Sequence, residues 1–349
     1  MSSERLRQLV LEITDACNLH CHGCYSRAMP KVQKWVDPFR VDHLVHQAAG
    51  LGTRHFVISG GEPVLDVDTT LVAVRSAKAL GMQTTMTSNG TLLDDALLAR
   101  LQDAGLDKLQ ISLDGPDAYQ HERRRGAGTF ERAVRAVNLA RLRGISVSVM
   151  TVPEWKYIYR LKQFLPLLTD LGIRVWGIER PVPFGGNAEL DYRFDNHRLR
   201  DFHDRLLCLE AQAQDLKIHC NDPLYNLRRL LEQGDTSVAA ATTFAHEFGL
   251  GCSAGHSALV IGADGGVRGC TFLPQISLNV RDASLFDVWN DLRRYVDQLR
   301  VAYGGQGCQD CQYHALCRGC PAQSLVDGSK QAASRDPACY LFQLRKEVV

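Results

Sequence analysis

Three cysteines near the N-terminus, Cys17, Cys21 and Cys24, fall in the run ITDACNLHCHGCY with the spacing C-x3-C-x2-C. Thiolates spaced this way hold iron–sulfur clusters or zinc. A cubane cluster has four irons, and a protein that fills every corner supplies four thiolates. Three thiolates therefore leave one iron open, and an open iron can bind a substrate or cofactor directly. His20 and His22 lie in the same run and could complete a Cys3His zinc tetrahedron, although structural zinc usually joins two close pairs distant in sequence.

The other cysteines are distributed unevenly. Of twelve in 349 residues, seven lie from Cys252 onward, and only Cys208 and Cys220 fall between the two groups. The N-terminus MSSERLRQLV has no apolar signal core, and no apolar run is long enough to cross a membrane. These features predict an unexported, cytoplasmic protein, in which dense cysteines point to metal rather than disulfides. A net charge of +1 with 23% charged residues gives no basic face for nucleic acid.

The elements that must position the first three cysteines alternate regularly. Short apolar, β-branched runs at 9–14, 55–59, 83–87, 108–113, 146–151 and 174–178 read as strands. Between them, 41–51, 69–80, 92–104 and 130–143 carry the i, i+3, i+4 apolar spacing of helices. Six such units predict an α/β fold, a partial (β/α)6 barrel of TIM type. In such barrels the chemistry lies on loops at the C-terminal ends of the strands. The cysteine run follows the first predicted strand, and Gly60-Gly61-Glu62-Pro63 follows the second, so both reach one face. We expect the barrel at 1–190, a bridging helical segment at 191–248, with helices at 202–213 and 224–233, and a small irregular cysteine-rich α+β domain at 249–349. The last of these is too broken by turns to rest on an apolar core alone, so metal should hold it together.

The C-x3-C-x2-C run, followed one strand later by GGEP, resembles the radical S-adenosylmethionine (radical SAM) superfamily. The resemblance implies that Cys17, Cys21 and Cys24 hold a [4Fe–4S] cluster that cleaves SAM, with the SAM amino and carboxylate groups on the fourth iron. Gly60, Gly61, Glu62 and Pro63 would receive the SAM amino group, the glycines letting backbone approach the ligand closely. Asn89 in TSNG and Ser112 in ISLDG lie on strand ends similar to those lining the SAM site, with Ser112 at the ribose. In HERRRG the resemblance puts Arg125 against the SAM carboxylate, while Arg123 and Arg124 could equally be solvated. The family usually has a large residue just before the third cysteine, near adenine, where this chain has Gly23.

The later cysteines resemble the SPASM extension, which holds two auxiliary [4Fe–4S] clusters. The pattern is Cys252, Gly265-x4-Cys270, Cys308-x2-Cys311-x5-Cys317-x2-Cys320 and Cys339, with two residues rather than the common three in the last spacing. By resemblance Cys308, Cys311, Cys317 and Cys339 hold the outer cluster, and Cys252, Cys270 and Cys320 the inner one. The inner set lacks one thiolate, which His246 could replace if it is not an ordinary surface histidine. Cys208 and Cys220 read as small buried hydrophobes or, more sharply, as a hydrogen-atom donor to a substrate radical. Glu179 and Asp114, at strand ends, are candidate substrate bases.

The resemblance implies an oxidoreductase or maturase in which a 5′-deoxyadenosyl radical takes hydrogen from an unactivated C–H bond. The auxiliary clusters would then accept an electron, with a reductase and flavodoxin or a ferredoxin as external donor. Substrates of this group are mostly ribosomally made peptides, which are crosslinked or oxidised. Small-molecule tailoring of an aminoglycoside or nucleoside sugar is the alternative in natural-product biosynthesis. A non-catalytic electron-transfer or metal-binding protein would have no use for GGEP. The first predicted strand starts at about residue 9, so a leader-peptide-binding domain would have to come from a separate partner.

Overall fold

The computed structural model describes residues 5–28, 35–182, 194–213, 215–234, 237–248, 250–303, 308, 311–325 and 336–341. Seven parallel strands follow one another across a single sheet: β1 (Gln8–Glu12), β2 (His55–Ser59), β3 (Gln83–Ser88), β4 (Lys108–Ser112), β5 (Ser146–Thr151), β6 (Val175–Ile178) and β7 (Lys217–Cys220). Each pair is in parallel register, as in Gln8↔His55 and Lys108↔Ser146. The crossovers are helical: α1 (Pro38–Gly50), α2 (Val67–Ala79), α3 (Asp95–Asp103), α4 (Ala118–Arg125) with α5 (Thr129–Leu142), α6 (Phe164–Asp170) and α7 (Asn196–Gln212). The sheet curves as a barrel that does not close, as the strand–helix alternation predicts.

The seventh strand lies in the segment read from sequence as a helical bridge. KIHC is too short and too mixed to announce itself. It forms because α7 brings it back beside β6, where Val175↔Lys217 begins a parallel ladder. Aspartates start five of these seven crossover helices. Asp37, Asp66, Asp94, Asp117 and Asp195 each accept a hydrogen bond from the backbone N–H three residues on, satisfying a donor that the first turn leaves open.

Strand alternation divides the residues between two faces. Leu9, Leu11, Phe56, Ile58, Ile111, Val149 and Trp176 are buried under the helices. Trp176 stacks on Phe164 at 4.9 Å, and its Nε1–H donates to Thr151 Oγ1 at 2.9 Å. The opposite set, including Gln83, Thr85, Gln110, Ser148 and Ser112, turns to the concave side. A closed TIM barrel fills that side with branched apolar layers, whereas here these polar residues and apolar ones such as Val10, Val57 and Met150 surround a cavity.

After α8 (Pro223–Glu232) and α9 (Val238–Phe248), the C-terminal part returns to the sheet. Strand β8 (Ala258–Ile261) pairs in parallel with β1, and β9 (Val267–Arg268) pairs antiparallel with β8. One nine-stranded sheet, in the order β7-β6-β5-β4-β3-β2-β1-β8-β9, therefore runs through both halves of the chain. Three helices complete the described fold: α10 (Leu285–Tyr303), α11 (His314–Cys317) and α12 (Pro321–Leu325). No helix among the described residues is long and apolar enough to cross a membrane.

Candidate active site

A cavity of about 810 Å³ opens inside the sheet, and the C-terminal ends of the strands meet there. Cys17, Cys21 and Cys24 border it, each half-buried. Burial pushes the Cys17 and Cys21 thiols up in proton affinity, and Arg125 pulls Cys21 back. Two N–H groups point at the Cys17 sulfur, Leu19 N at 3.4 Å and Asn89 Nδ2 at 3.9 Å, and favour its thiolate. His20 and His22 are exposed and do not border the cavity. Among the described residues, no three Cys, His, Asp or Glu side chains close on one ion-sized point. A cubane makes a different demand, because each thiolate takes its own corner.

The glycines of GGEP act first on the protein itself. A Cβ on Gly61 would stand 2.1 Å from the carbonyl oxygen of Ala16, and one on Gly60 2.4 Å from that of Thr14. Gly60 also has φ +145°, which disfavours a side chain. Gly61 N–H donates to Thr14 O at 2.7 Å, and Glu62 N–H to Ala16 O at 2.8 Å. The close approach that sequence reading assigned to a ligand is thus already used to hold the stem of the cysteine loop. Glu62 is fully buried and turned inward. Ser88 Oγ donates to its Oε1 and Asn89 N–H to its Oε2, both at 2.8 Å. Burial raises its carboxyl to about 7, against those hydrogen bonds. Gly60, Gly61 and Asn89 border the cavity, whereas Glu62 and Pro63 stand behind it.

Ser112 and Arg125 border the same space. Arg125 Nε donates to Asp114 Oδ2 at 2.6 Å, and Arg124 lies 3.4 Å from Oδ1. Arg124 is not the solvated side chain that its sequence allowed. It is nearly buried and donates to Val152 O at 2.7 Å. Its own carbonyl accepts from His22 N at 2.7 Å, tying the cysteine loop to α4. Asp114 loses solvation on burial, but Arg124 and Arg125 outweigh that and hold its carboxyl down to about 2. It also accepts from Val152 N at 3.0 Å and does not border the cavity. An ionised carboxylate with every side occupied is a poor base, and this one orients the two arginines.

Glu179 is the opposite case. It follows β6 and borders the cavity, and burial raises its carboxyl to about 7 although Arg124 opposes the rise. Its charge is also felt by Cys270, and Thr271 and Phe272, just beyond Cys270, form part of the same cavity wall. Tyr25 meets Phe272 edge-to-face at 6.0 Å across the mouth.

The later cysteines fall into sets. Cys252, Cys270 and Cys320 interact electrostatically with one another, and Cys317 interacts with Cys339. Cys311 N–H donates to Cys308 O at 3.1 Å, and Cys252 N–H to Cys317 O at 3.1 Å, which joins the sets through backbone. Burial pushes Cys270 up to about 12, so its thiolate needs a metal's charge to persist. His246 is within α9, and its side chain lies outside the described residues. Cys220 is buried in the helix-side core and Cys208 is exposed on α7; neither borders the cavity.

Three half-buried thiols on one cavity, a glycine-held loop beside them and thiol-only donor sets behind fit iron–sulfur clusters and a SAM molecule. A family model described as the radical SAM superfamily matches residues 11–153, and one described as an iron–sulfur cluster-binding domain, SPASM, matches residues 252–321. The chain belongs to the radical SAM superfamily and carries a SPASM domain. It is an enzyme of that class, and its cofactors are SAM, the [4Fe–4S] cluster that binds SAM and two auxiliary [4Fe–4S] clusters.

Among its relatives, an AdoMet-dependent heme synthase of Oleidesulfovibrio alaskensis is 27% identical over 365 aligned positions, covering 99% of this chain and 89% of that protein. The mycofactocin maturase MftC of Mycolicibacterium smegmatis is 27% identical over 340 positions, covering 95% and 82%. Streptococcus suis SuiB, solved with its precursor peptide SuiA, superposes with a TM-score of 0.79 at 19% identity, over 97% of this chain and 76% of that one. That likeness establishes the fold.

Sequence reading missed the partners of the site. The Asp114–Arg124 contact and the inward turn of Glu62 are tertiary events with no local pattern. The alternation of β6 does place residue 179 on the concave face, and that signal was available.

Proposed function

We propose that this enzyme removes two electrons and two hydrogens from a peptide substrate held in the barrel cavity, with Glu179 as the base. When bound, the N-terminal cluster and SAM supply a carbon-centred radical that takes one hydrogen atom, and an auxiliary cluster supplies an acceptor for the electron left behind. The remaining proton then goes to Glu179. A carboxyl raised to about 7 is matched to that transfer near neutral pH. The observation that carries the reading is the single cavity shared by Cys17, Cys21 and Cys24, Glu179 and the residues just beyond Cys270.

In this reading Cys17, Cys21 and Cys24 hold the SAM-binding cluster. Arg125, oriented by Asp114, receives the SAM carboxylate, and a planar guanidinium suits it. Ser112 meets the ribose, while Gly60, Gly61, Glu62, Pro63 and Asn89 shape the amino-group end. Cys252, Cys270 and Cys320 hold the inner auxiliary cluster, and Cys308, Cys311, Cys317 and Cys339 the outer one. A flavodoxin or ferredoxin would deliver electrons, and a separate protein could present the peptide's leader.

Two observations support a peptide. Mycofactocin maturase aligns over nearly the whole chain. The cavity wall sets amides and hydroxyls, as in Gln83, Gln110, Thr85 and Ser148, among apolar side chains such as Val10, Val57 and Met150, a mixture that suits a peptide's backbone and side chains. A second reading is a tetrapyrrole, because heme synthases align over 92% to 99% of the chain. Its carboxylates would call for arginines, and of the two at the mouth Arg125 is assigned to the SAM carboxylate while Arg124 is held by Asp114 and Val152 O.

The test is anaerobic reconstitution with SAM and dithionite. Precursor peptides encoded beside the gene, and iron-coproporphyrin III, serve as the probes. The expected result is 5′-deoxyadenosine together with a peptide product two mass units lighter. Glu179→Gln should still form 5′-deoxyadenosine, with product reduced by roughly 10²–10⁴-fold and its pH dependence near 7 lost. Conversion of iron-coproporphyrin III alone would move the substrate to the second reading, and unchanged product in Glu179→Gln would remove the base.

A further inference from the structure

Arg180, the neighbour of Glu179, faces the other way. Its side chain is 4% exposed, and its two terminal nitrogens both bond Asp336, with Nη2 to Oδ1 at 3.0 Å. Nη1 also reaches Asp222 Oδ2 at 3.3 Å. Asp222 is fully buried, starts α8 through Leu224 N at 2.9 Å and meets His203 Nε2 at 3.2 Å. His203 Nδ1 in turn meets Tyr340 Oη at 2.8 Å. Burial lowers the proton affinity of His203, so Arg180 is the cation in contact with the two carboxylates, while Arg228 reaches the network at Tyr340.

This buried cluster sits between the two late cysteine sets. Asp336 Oδ1 accepts from Ala338 N at 3.0 Å and Asp336 O from Cys339 N at 3.0 Å, so the turn bearing Cys339 hangs on Arg180. On the other side, Gln323 Nε2 donates to Pro181 O at 3.1 Å, three residues after Cys320. Arg180 and Cys320 interact electrostatically. The Nε–H of Arg180 is buried and has no partner among the described residues. A buried donor without an acceptor is costly and rare in a finished structure.

We propose that Arg180 is a positioning residue for the inner auxiliary cluster, whose reduction potential it raises by its charge and by an Nε–H left for cluster sulfur. Cluster potentials respond to local charge and to hydrogen bonds on sulfur. Without the guanidinium, two buried carboxylates would face the ligand set uncompensated and make electron acceptance harder. The strand end that offers Glu179 to the substrate would thus offer Arg180 to the electron acceptor. The inference rests on the assignment of Cys252, Cys270 and Cys320 to the inner cluster.

An anaerobic redox titration followed by electron paramagnetic resonance tests it, on fully loaded enzyme without substrate. The inner-cluster signal is identified as the one lost in Cys320→Ala. Arg180→Gln should make that cluster at least tenfold harder to reduce, about 59 mV for one electron, with the SAM-binding cluster unmoved. Asp222→Asn should move it the opposite way. Arg180→Lys keeps the charge but loses the fork and Nε–H, should give a smaller shift than Arg180→Gln, and decides the matter if the Gln variant does not load. Unmoved potentials in the loaded variants, or shifts of one sign in Arg180→Gln and Asp222→Asn alike, overturn the proposal. The titration involves neither substrate nor Glu179, so its outcome is separate from that of the base assignment.

Discussion

Asp114 and Glu179 follow alternate strands at the mouth of one barrel, and the charge of Asp114 adds to the rise in the Glu179 carboxyl. Two arginines hold the first at about 2, while burial carries the second to about 7. Strand-end position made both candidates in the sequence, but only the neighbours separate an orienting carboxylate from a proton acceptor. Those neighbours come from α4 and β5, so one-dimensional reading could not choose. Glu62 makes a related prediction. Its folded proton affinity, about 7, exceeds the unfolded value of 4.5. Between those values the folded state binds the extra proton, so this group's contribution to stability falls as pH rises through the window. Glu62→Gln should therefore gain on the parent as pH increases from 5 to 8, by about 2–3 kcal/mol. Paired thermal midpoints across that range, without SAM, check it; a difference that does not change with pH would contradict it.

At the scale of elements, β1 to β6 were legible because short apolar and β-branched runs recur between helical stretches, although β1, β2, β5 and β6 also turn Val10, Val57, Met150 and Val175 toward the cavity. Helix α4 was not. AYQHERRR has almost no apolar face, and tertiary bonds fix it, among them Asp114 N to His121 Nδ1 at 3.1 Å. Strand β7 was missed because KIHC owes its place to β6 rather than to any pattern of its own. The turn after β2 was found through its glycines, but their first task is to seat the Thr14–Ala16 stem of the cysteine loop. Gly61→Ala puts a methyl 2.1 Å from Ala16 O, and backbone must move. The expected outcome is loss of the SAM-binding cluster alone, about four irons per chain, with both auxiliary signals intact. Iron analysis and spectroscopy read this directly, and full iron content would show that the loop tolerates the shift.

For the whole molecule, the docking of the SPASM domain rests partly on Arg268 of β9, which is 1% exposed and donates to Glu12 Oε2 at 2.6 Å. Burial raises the Glu12 carboxyl despite that partner. Arg268→Met would strand Glu12, a loss on the order of 3–5 kcal/mol, and the deficit should grow with pH as the unpaired acid must ionise. Adding Glu12→Gln should recover most of it. Thermal midpoints of the single and double variants measure both effects, and equal midpoints for parent and Arg268→Met would show that the pair contributes nothing. The cysteine spacing announced this domain, but not its attachment to the barrel sheet, because β8 is only four residues long.

That attachment also fixes how far apart the two cysteine regions stand. From Gln8↔Ala258 to Leu11↔Ile261, backbone hydrogen bonds weld the strand leading to the first cluster loop to the hairpin leading to Cys270. The ladder runs unbroken from Gln8 to Leu11, so it sets the spacing between the loop of Cys17, Cys21 and Cys24 and the hairpin that leads to Cys270. A substrate in the cavity would therefore meet both cysteine regions at that one spacing.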